Sequence, residues 1–284
     1  MSHIENCLFH GLPALRLRAK DGATAIVTLH GAHVVSWVNA RGVEQLYLSP
    51  NTRYASGQAI RGGVPVVFPQ FNTQGVLPRH GFARTSDWTR VDTLEQMPAD
   101  ECSVTLTLPR NKVIKSLWPY VFACELKVAL YGDSLTVSLT VRNDGDQTFS
   151  FQAALHTYLA IASITDAHLT GLENCEYEDC TDADPQGLKR HSALRPFEAI
   201  DRIYYNAPQP LVLQSAHGEV SLSQTGFSDV VVWNPGGAAA ASPADLPKDG
   251  FRQFLCVEAA QIGTPAVLKP AEIWQGAQTL TATH

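Results

Sequence analysis

The 284-residue chain is poor in charge and has no surplus of positive charge. Charged residues make up 17 %, and 21 Lys and Arg against 27 Asp and Glu leave a net charge of −6. That sign argues against nucleic acid or an anionic membrane as the main partner, because binding a phosphate backbone needs a cationic surface. No stretch reaches the uninterrupted apolar length of a membrane span. The start, MSHIENCLFHGLP, lacks a cationic segment followed by an apolar one and does not read as a secretory signal. The six cysteines are scattered without a C-x-x-C pair. Several interrupt apolar runs, as Cys256 does in FLCVEAA, so they read as small hydrophobes rather than zinc ligands or disulfides. A reducing cytoplasm is the expected compartment. Neither G-x-G-x-x-G nor G-x-x-x-x-G-K-[ST] occurs, which removes the common Gly-rich nucleotide loops. Long amphipathic helices with caps, a Pro- or Gly-rich linker and a repeat of fixed period are also missing.

What the chain does have is a hydrophobic period of two. Leu135, Val137, Leu139 and Val141 alternate with Ser134, Thr136, Ser138 and Thr140, the pattern of a half-buried strand. Val104, Leu106 and Leu108 alternate in the same way, as do Cys124, Leu126, Val128 and Leu130, with Gly132-Asp133 marking the turn that follows. LVLQSAHGEVSLSQ (211–224) reads as a hairpin with Gly218 near its tip. With 45 % hydrophobic residues the chain is globular. The expectation is one all-β domain over residues 1–284, a large antiparallel β-sandwich with many strands in two or more stacked sheets. GGAAAAS (236–242) reads as a mobile loop. Trp37, Trp88, Trp118 and Trp274 read as core or rim, and WNPGG (233–237) as the turn that closes a strand over 229–233.

Four segments carry candidate chemistry. RGGVPVVFPQFNTQGVLPRHGFAR (61–84) gathers Arg61, Arg79, His80 and Arg84 among glycines, prolines and aromatics. Glycine lets backbone approach a ligand closely, and three neighbouring guanidiniums repel one another unless an anion sits between them. Arginine's planar fork suits phosphate oxygens; a solvated loop with local ion pairs is the other reading. In SFQAALHTYLAI (150–161), strand phase sends Phe151, Ala153, Leu155 and Leu159 one way and Gln152, His156 and Tyr158 the other. His156 is then either a proton carrier in a cleft or a hydrogen-bonded structural histidine. Glu258 sits mid-strand in FLCVEAAQI (254–262), where burial without partners is costly and raises its pKa; a buried salt bridge to one of the arginines is the rival. In PFEAIDRIYYN (196–206), Asp201 suits sugar-like hydroxyls and Tyr204 an aromatic wall, or Asp201 forms a local pair with Arg202. His30 and His33 have zinc-like spacing only on a helix, and no third ligand lies nearby in sequence.

Taken together, GAHVVSW (31–37), RGGVPVVFPQF (61–71), LPRHGFAR (77–84), ALHTYLAI (154–161), DRIYYN (201–206), VVVWNP (230–235), FLCVEAAQI (254–262) and LKPAEIWQGAQTL (268–280) occur in an order that resembles the hexose-6-phosphate mutarotases of the aldose 1-epimerase superfamily. The resemblance implies a galactose-mutarotase-type sandwich with its site on a concave sheet face, and interconversion of the α and β anomers of an aldohexose 6-phosphate. It implies His156 as general acid, Glu258 as general base, Asp201 as a holder of sugar hydroxyls, Arg61, Arg79 and Arg84 as phosphate or substrate contacts, and His80 behind them. No metal or redox cofactor is expected, since nothing is oxidised. The expected partner is a small phosphosugar rather than nucleic acid or membrane, and the chain a monomer or weak oligomer. Turnover of unphosphorylated sugars, or a non-catalytic carbohydrate-binding sandwich, are the alternatives. Three departures from the pattern stand out: Ala271 and Asn72 where glycine is frequent, and GGAAAA after WNP. They bear on the pocket rim, not on the acid or base.

Overall fold

A computed structural model describes residues 2–91, 101–181, 188–190, 197–238 and 243–283. Three antiparallel sheets account for the architecture. A four-stranded N-terminal sheet runs His3–Phe9, Leu12–Arg18, Thr24–Thr28, His33–Val38. One of two eight-stranded sheets is built around the adjoining strands Ile273–Thr283, Ser134–Asn143, Phe122–Tyr131 and Cys102–Thr107. The other has the long strand Phe254–Leu268 at its centre, flanked by Asp229–Asn234 on one side and by Phe149–Leu155 and Tyr158–Ala160 on the other. The single α-helix among the described residues, Lys112–Leu117, has one turn capped by Asn111, whose side chain accepts from the Ile114 N–H. No described helix is long and apolar enough to cross a membrane.

The alternating residues build the core as their period demands. Cys124, Leu126, Val128 and Leu130 stand opposite Val141, Leu139, Val137 and Leu135 in register, on one face of the hairpin that turns at Gly132. All eight are buried in the main core, against Leu155, Val257 and Ala259 of the opposing sheet. Leu211–Ser215 and Gly218–Thr225 form the expected second hairpin. Trp37 and Trp88 are fully buried, Trp118 nearly so, and Trp274 packs at the core's edge. Cys102, Cys124 and Cys256 are buried as small hydrophobes. His30 and His33 are structural: His30 contacts Asp87 Oδ1 at 2.9 Å and the Gln58 carbonyl at 2.8 Å, and His33 Nε2 lies 2.7 Å from the Gly62 carbonyl.

The strand Phe254–Leu268 is buried on both faces from Phe254 to Ala260. Leu255, Val257 and Ala259 join the main core. On the other face, Phe254 and Cys256 belong to one small apolar cluster with Tyr47, Tyr158, Leu246 and Phe251, while Ala260 and Ile262 belong to another with Val67, Phe71, Ala154, Ile203 and Val231. Trp233 packs against both. Glu258 falls between the two clusters, and the seam they leave is the floor of a cleft.

Candidate active site

Arg61, Arg79, His80, Arg84, His156, Asp201 and Glu258 all line a single cleft of about 710 Å³. His156 reaches it from a break in the sheet rather than from the continuous strand that alternation suggests. The ladder to Phe254–Leu268 pairs Leu155 with Ala259 and resumes at Tyr158 with Cys256. Between them His156 N–H donates to the Pro65 carbonyl at 3.0 Å and Tyr158 N–H to the Gly63 carbonyl at 2.9 Å. The phase read from sequence otherwise holds, with Phe151, Ala153, Leu155 and Leu159 in the core.

His156 Nδ1 approaches Glu258 Oε1 to 3.2 Å. The contact is too poorly aligned to be a hydrogen bond, so His156 Nδ1 and Glu258 Oε2 are both buried without a hydrogen-bond partner. Among the described residues the close charged contact of Glu258 is with His156, not with an arginine. Burial, reinforced by Asp201 and opposed by Arg84, pushes the Glu258 carboxyl well above its ordinary range. Burial, then His80, Arg84 and Arg61, pushes the His156 imidazolium well below its own. Both shifts favour the neutral pair. It differs from the ion pair by one proton moved across the contact, so the two forms hold the same number of protons. Around them, the Tyr158 ring stacks on His156 at 4.9 Å between centroids, and Trp233 and His80 meet His156 edge-on, each at 5.8 Å.

The cationic end is less free than its three arginines suggest. Arg61 Nε donates to Asp245 Oδ1 at 2.9 Å and Nη1 to the Tyr158 hydroxyl at 3.0 Å. Although burial opposes it, this pairing holds the Arg61 guanidinium firmly protonated. Arg84 Nη2 donates to the Arg79 carbonyl at 3.0 Å, while its Nε is buried without a partner. Burial, with Arg61 and Arg79 nearby, lowers Arg84 to about 10, so it stays charged at neutral pH. Arg79 is exposed at the rim. His80 Nδ1 accepts the Asn72 N–H at 3.3 Å, and burial beside Arg84, Arg79 and Arg61 pushes the ring down to about 2, which keeps it neutral. Asp201 lies across the cleft, raised to about 6 by burial and held back from a larger rise by Arg79.

Several sequence readings need correction. Gly62 and Gly63 serve the fold rather than a ligand: a Cβ would stand 2.3 Å from the Tyr47 carbonyl oxygen at Gly62 and 2.2 Å from that of Val34 at Gly63. Tyr204 is not a cleft wall. It is buried in the core, its ring 5.2 Å from Tyr177; the aromatic wall is Trp233, read from sequence only as the end of a strand. Arg61's partner Asp245 lies in a loop that no sequence pattern marks. Asn72 and Ala271, which replace frequent glycines, both have positive φ, 46° and 66°. The loop read as mobile lies partly outside the described residues, at 239–242.

A large antiparallel sandwich with an open, polar, sugar-sized cleft on one sheet defines the class of the mutarotases. The aldose 1-epimerase family model matches residues 13–281. The chain is 34 % identical over 282 residues to a Cenchrus ciliaris protein named "putative glucose-6-phosphate 1-epimerase", covering 96 % of this chain and 85 % of that one. An Escherichia coli K12 protein of the same name is 34 % identical over 240 residues, covering 83 % and 79 %. The crystal structure of a Salmonella typhimurium protein titled "putative mutarotase" superposes with a TM-score of 0.86 at 27 % identity, covering 99 % of this chain and 94 % of that one. The chain belongs to the aldose 1-epimerase family. It is an isomerase that interconverts the α and β anomers of a sugar.

Proposed function

We propose that the sugar is an aldohexose 6-phosphate, and that Glu258 and His156 carry the protons. The observation that carries this reading is the pairing, in one cleft, of two buried polar atoms without partners, Glu258 Oε2 and His156 Nδ1, with a cationic rim of Arg61, Arg79 and Arg84. The names of the relatives at 34 % identity agree with it.

Glu258 takes the proton from the C1 hydroxyl as His156 gives one to the ring oxygen; the C1–O5 bond breaks and the free aldehyde forms. Rotation about C1–C2 turns the other carbonyl face to the hydroxyl, and the same transfers in reverse close the second anomer. Opening turns carboxylate and imidazolium into carboxyl and imidazole, the neutral pair that burial favours. The pair therefore stabilises the open-chain state that must live long enough to rotate. A phosphate beside Arg61 and Arg84 offsets part of the positive field that disfavours the His156 imidazolium, so the correct substrate also readies the acid. Asp201 accepts hydrogen bonds from ring hydroxyls, His80 stays neutral behind His156, and the arginines hold the remote phosphate so that C1 meets the pair.

The Arg61–Asp245 pair favours a second reading, turnover of the unphosphorylated aldose, because it cancels one of the three cations inside the protein. Anomer exchange on glucose 6-phosphate and on glucose, followed by NMR at matched concentration, decides between them. A large preference for the phosphate ester that Arg84→Ala abolishes is expected; equal turnover of both overturns the phosphate assignment. Wild-type exchange in both His156→Asn and Glu258→Gln would overturn the proton carriers.

A further inference from the structure

Beneath the cleft the two large sheets face each other mainly through hydrocarbon, yet an amide side chain crosses between them. Gln278 lies on Ile273–Thr283 of the opposite sheet and is 4 % exposed. Its Oε1 accepts from the Thr157 hydroxyl at 2.5 Å and its Nε2 donates to the Val257 carbonyl at 3.0 Å, both bonds buried. Thr157 directly follows His156, and Val257 directly precedes Glu258. The Val257 N–H donates to the Thr157 carbonyl at 3.1 Å, which closes the bridge into a ring.

This is the stretch where regular pairing lapses, between Leu155 opposite Ala259 and Tyr158 opposite Cys256. The register is unchanged across the gap and leaves His156 opposite Glu258, but the Val257 N–H to Thr157 carbonyl bond is the backbone bond that ties the two strands there. A buried amide is tolerated in such a core only when its bonds are made, and a leucine would fill the space with no such demand. We infer that Gln278 is a positioning residue for proton transfer: reaching from the far sheet, it holds the residue next to each of His156 and Glu258 and so reinforces their separation where the backbone pairing is thinnest. The inference rests on the proposed roles of those two side chains.

The test uses two conservative variants of the full chain. Gln278→Met keeps length and bulk but makes neither bond, and Thr157→Val keeps shape but removes the hydroxyl. Because a displacement of about 1 Å can cost on the order of 100-fold in rate, each is expected to lower kcat for anomer exchange on glucose 6-phosphate by about 10-fold or more. KM should stay within about 3-fold, the limbs of the kcat–pH profile should move, and the double variant should be little worse than the worse single one. Folded variants with wild-type kcat and pH profile would overturn the inference, as would losses confined to KM. If Gln278→Met does not fold, Thr157→Val decides alone. His156→Asn and Glu258→Gln measured alongside separate the two failures. If they lose activity while the Gln278 and Thr157 variants keep it, positioning alone fails. If they too keep it, the proton-carrier reading fails first.

Discussion

Asp229 and Glu258 are carboxylates buried on adjacent strands of one sheet, 2 % and 1 % exposed, and the fold treats them in opposite ways. Asp229 is surrounded by donors. Its Oδ2 accepts the N–H groups of Ile262 and Gly263, each at 2.8 Å, and its Oδ1 accepts from the Asn206 N–H at 3.3 Å and the Ser228 hydroxyl at 2.9 Å. Glu258 has a misaligned contact with His156 and a second oxygen with no partner at all. Burial depth is therefore uninformative about role; what separates the two is whether the desolvated charge is repaid by hydrogen bonds. A satisfied carboxylate is a staple. An unsatisfied one destabilises the free protein and persists where a ligand completes it.

The sharpest way to break this contrast is to neutralise each carboxylate in turn. Glu258→Gln should lower anomer exchange by on the order of 10²–10⁴-fold, while the thermal midpoint at pH 7 stays level or rises, because a carboxyl raised by burial has to take up a proton on folding and the amide does not. A fall of less than 10-fold by NMR exchange would remove Glu258 from the chemistry. Asp229→Ala should do the reverse. It leaves the Ile262 and Gly263 N–H groups unmatched, which costs about 3 kcal/mol in urea unfolding, while exchange per folded molecule stays within a few-fold. A stable but inactive Asp229→Ala would dissolve the distinction.

The buried histidines extend the contrast to acid. His80 is depressed to about 2 and His33 to about 3 from the ordinary 6.5, and His156 is lowered as well. A depressed folded pKa contributes stability that is complete above 6.5 and is lost as pH falls from 6.5 toward the folded value, because only the unfolded chain takes up the proton. Asp201, raised to about 6 from 3.8, works the other way: its contribution is complete below 3.8 and is lost as pH rises through about 6. Replacing His80 by Asn should therefore make the protein less acid-sensitive. Between pH 6.5 and 5 the wild type should lose about 2 kcal/mol more than the variant in urea titrations. Equal losses would mean that His80 charges in the folded protein.

At the cationic end, the same test of satisfaction singles out Arg84, whose buried Nε lacks a partner, from Arg61, which Asp245 and Tyr158 already hold. Arg84→Ala should raise KM for glucose 6-phosphate by about 10- to 100-fold, the weight of one or two charge-assisted hydrogen bonds, and leave glucose nearly unaffected. Arg84→Lys should recover part of the loss. Equal effects on both sugars would make Arg84 a support for the Arg79 carbonyl and not an anion ligand.

The reading from sequence reached further into the fold than into the contacts. Period-two alternation over 122–141 is enough to define a two-faced sheet, since a one-residue slip would expose every leucine. Glu258 and His156 stand out because a charge or an imidazole in an apolar strand needs a reason. Asp245, by contrast, sits in a loop 184 residues from Arg61 with no pattern around it, and only the closed fold reveals the pair. Gln278 looks like any polar member of an alternating strand, because alternation cannot tell a polar residue facing water from one facing the opposite sheet. Trp233 is hidden for a similar reason: it closes a strand whose outer face is the cleft. The glycines of RGG permit close approach, as the sequence suggests, but what approaches them is backbone and not a ligand.

The smallest effect separates strain from function. Ala271, at φ 66°, occupies backbone that glycine adopts freely and an L side chain does not, in the turn between Phe254–Leu268 and Ile273–Thr283. Its N–H donates to the Asn143 carbonyl at 2.9 Å, and the Asn143 side chain donates to the Leu268 carbonyl at 2.9 Å, so the surrounding bonds hold the turn in that conformation whatever residue occupies it. Ala271→Gly relieves the steric cost of about 1–2 kcal/mol for a left-handed L residue and gives back part of it through the greater entropy of glycine in the unfolded chain. The net expectation is a gain of about 1 kcal/mol in urea unfolding with anomer exchange unchanged. Unlike the strain at Glu258, which a substrate can relieve, this strain has no ligand to complete it. A variant that gained stability and lost turnover would show that the turn, too, belongs to the machinery.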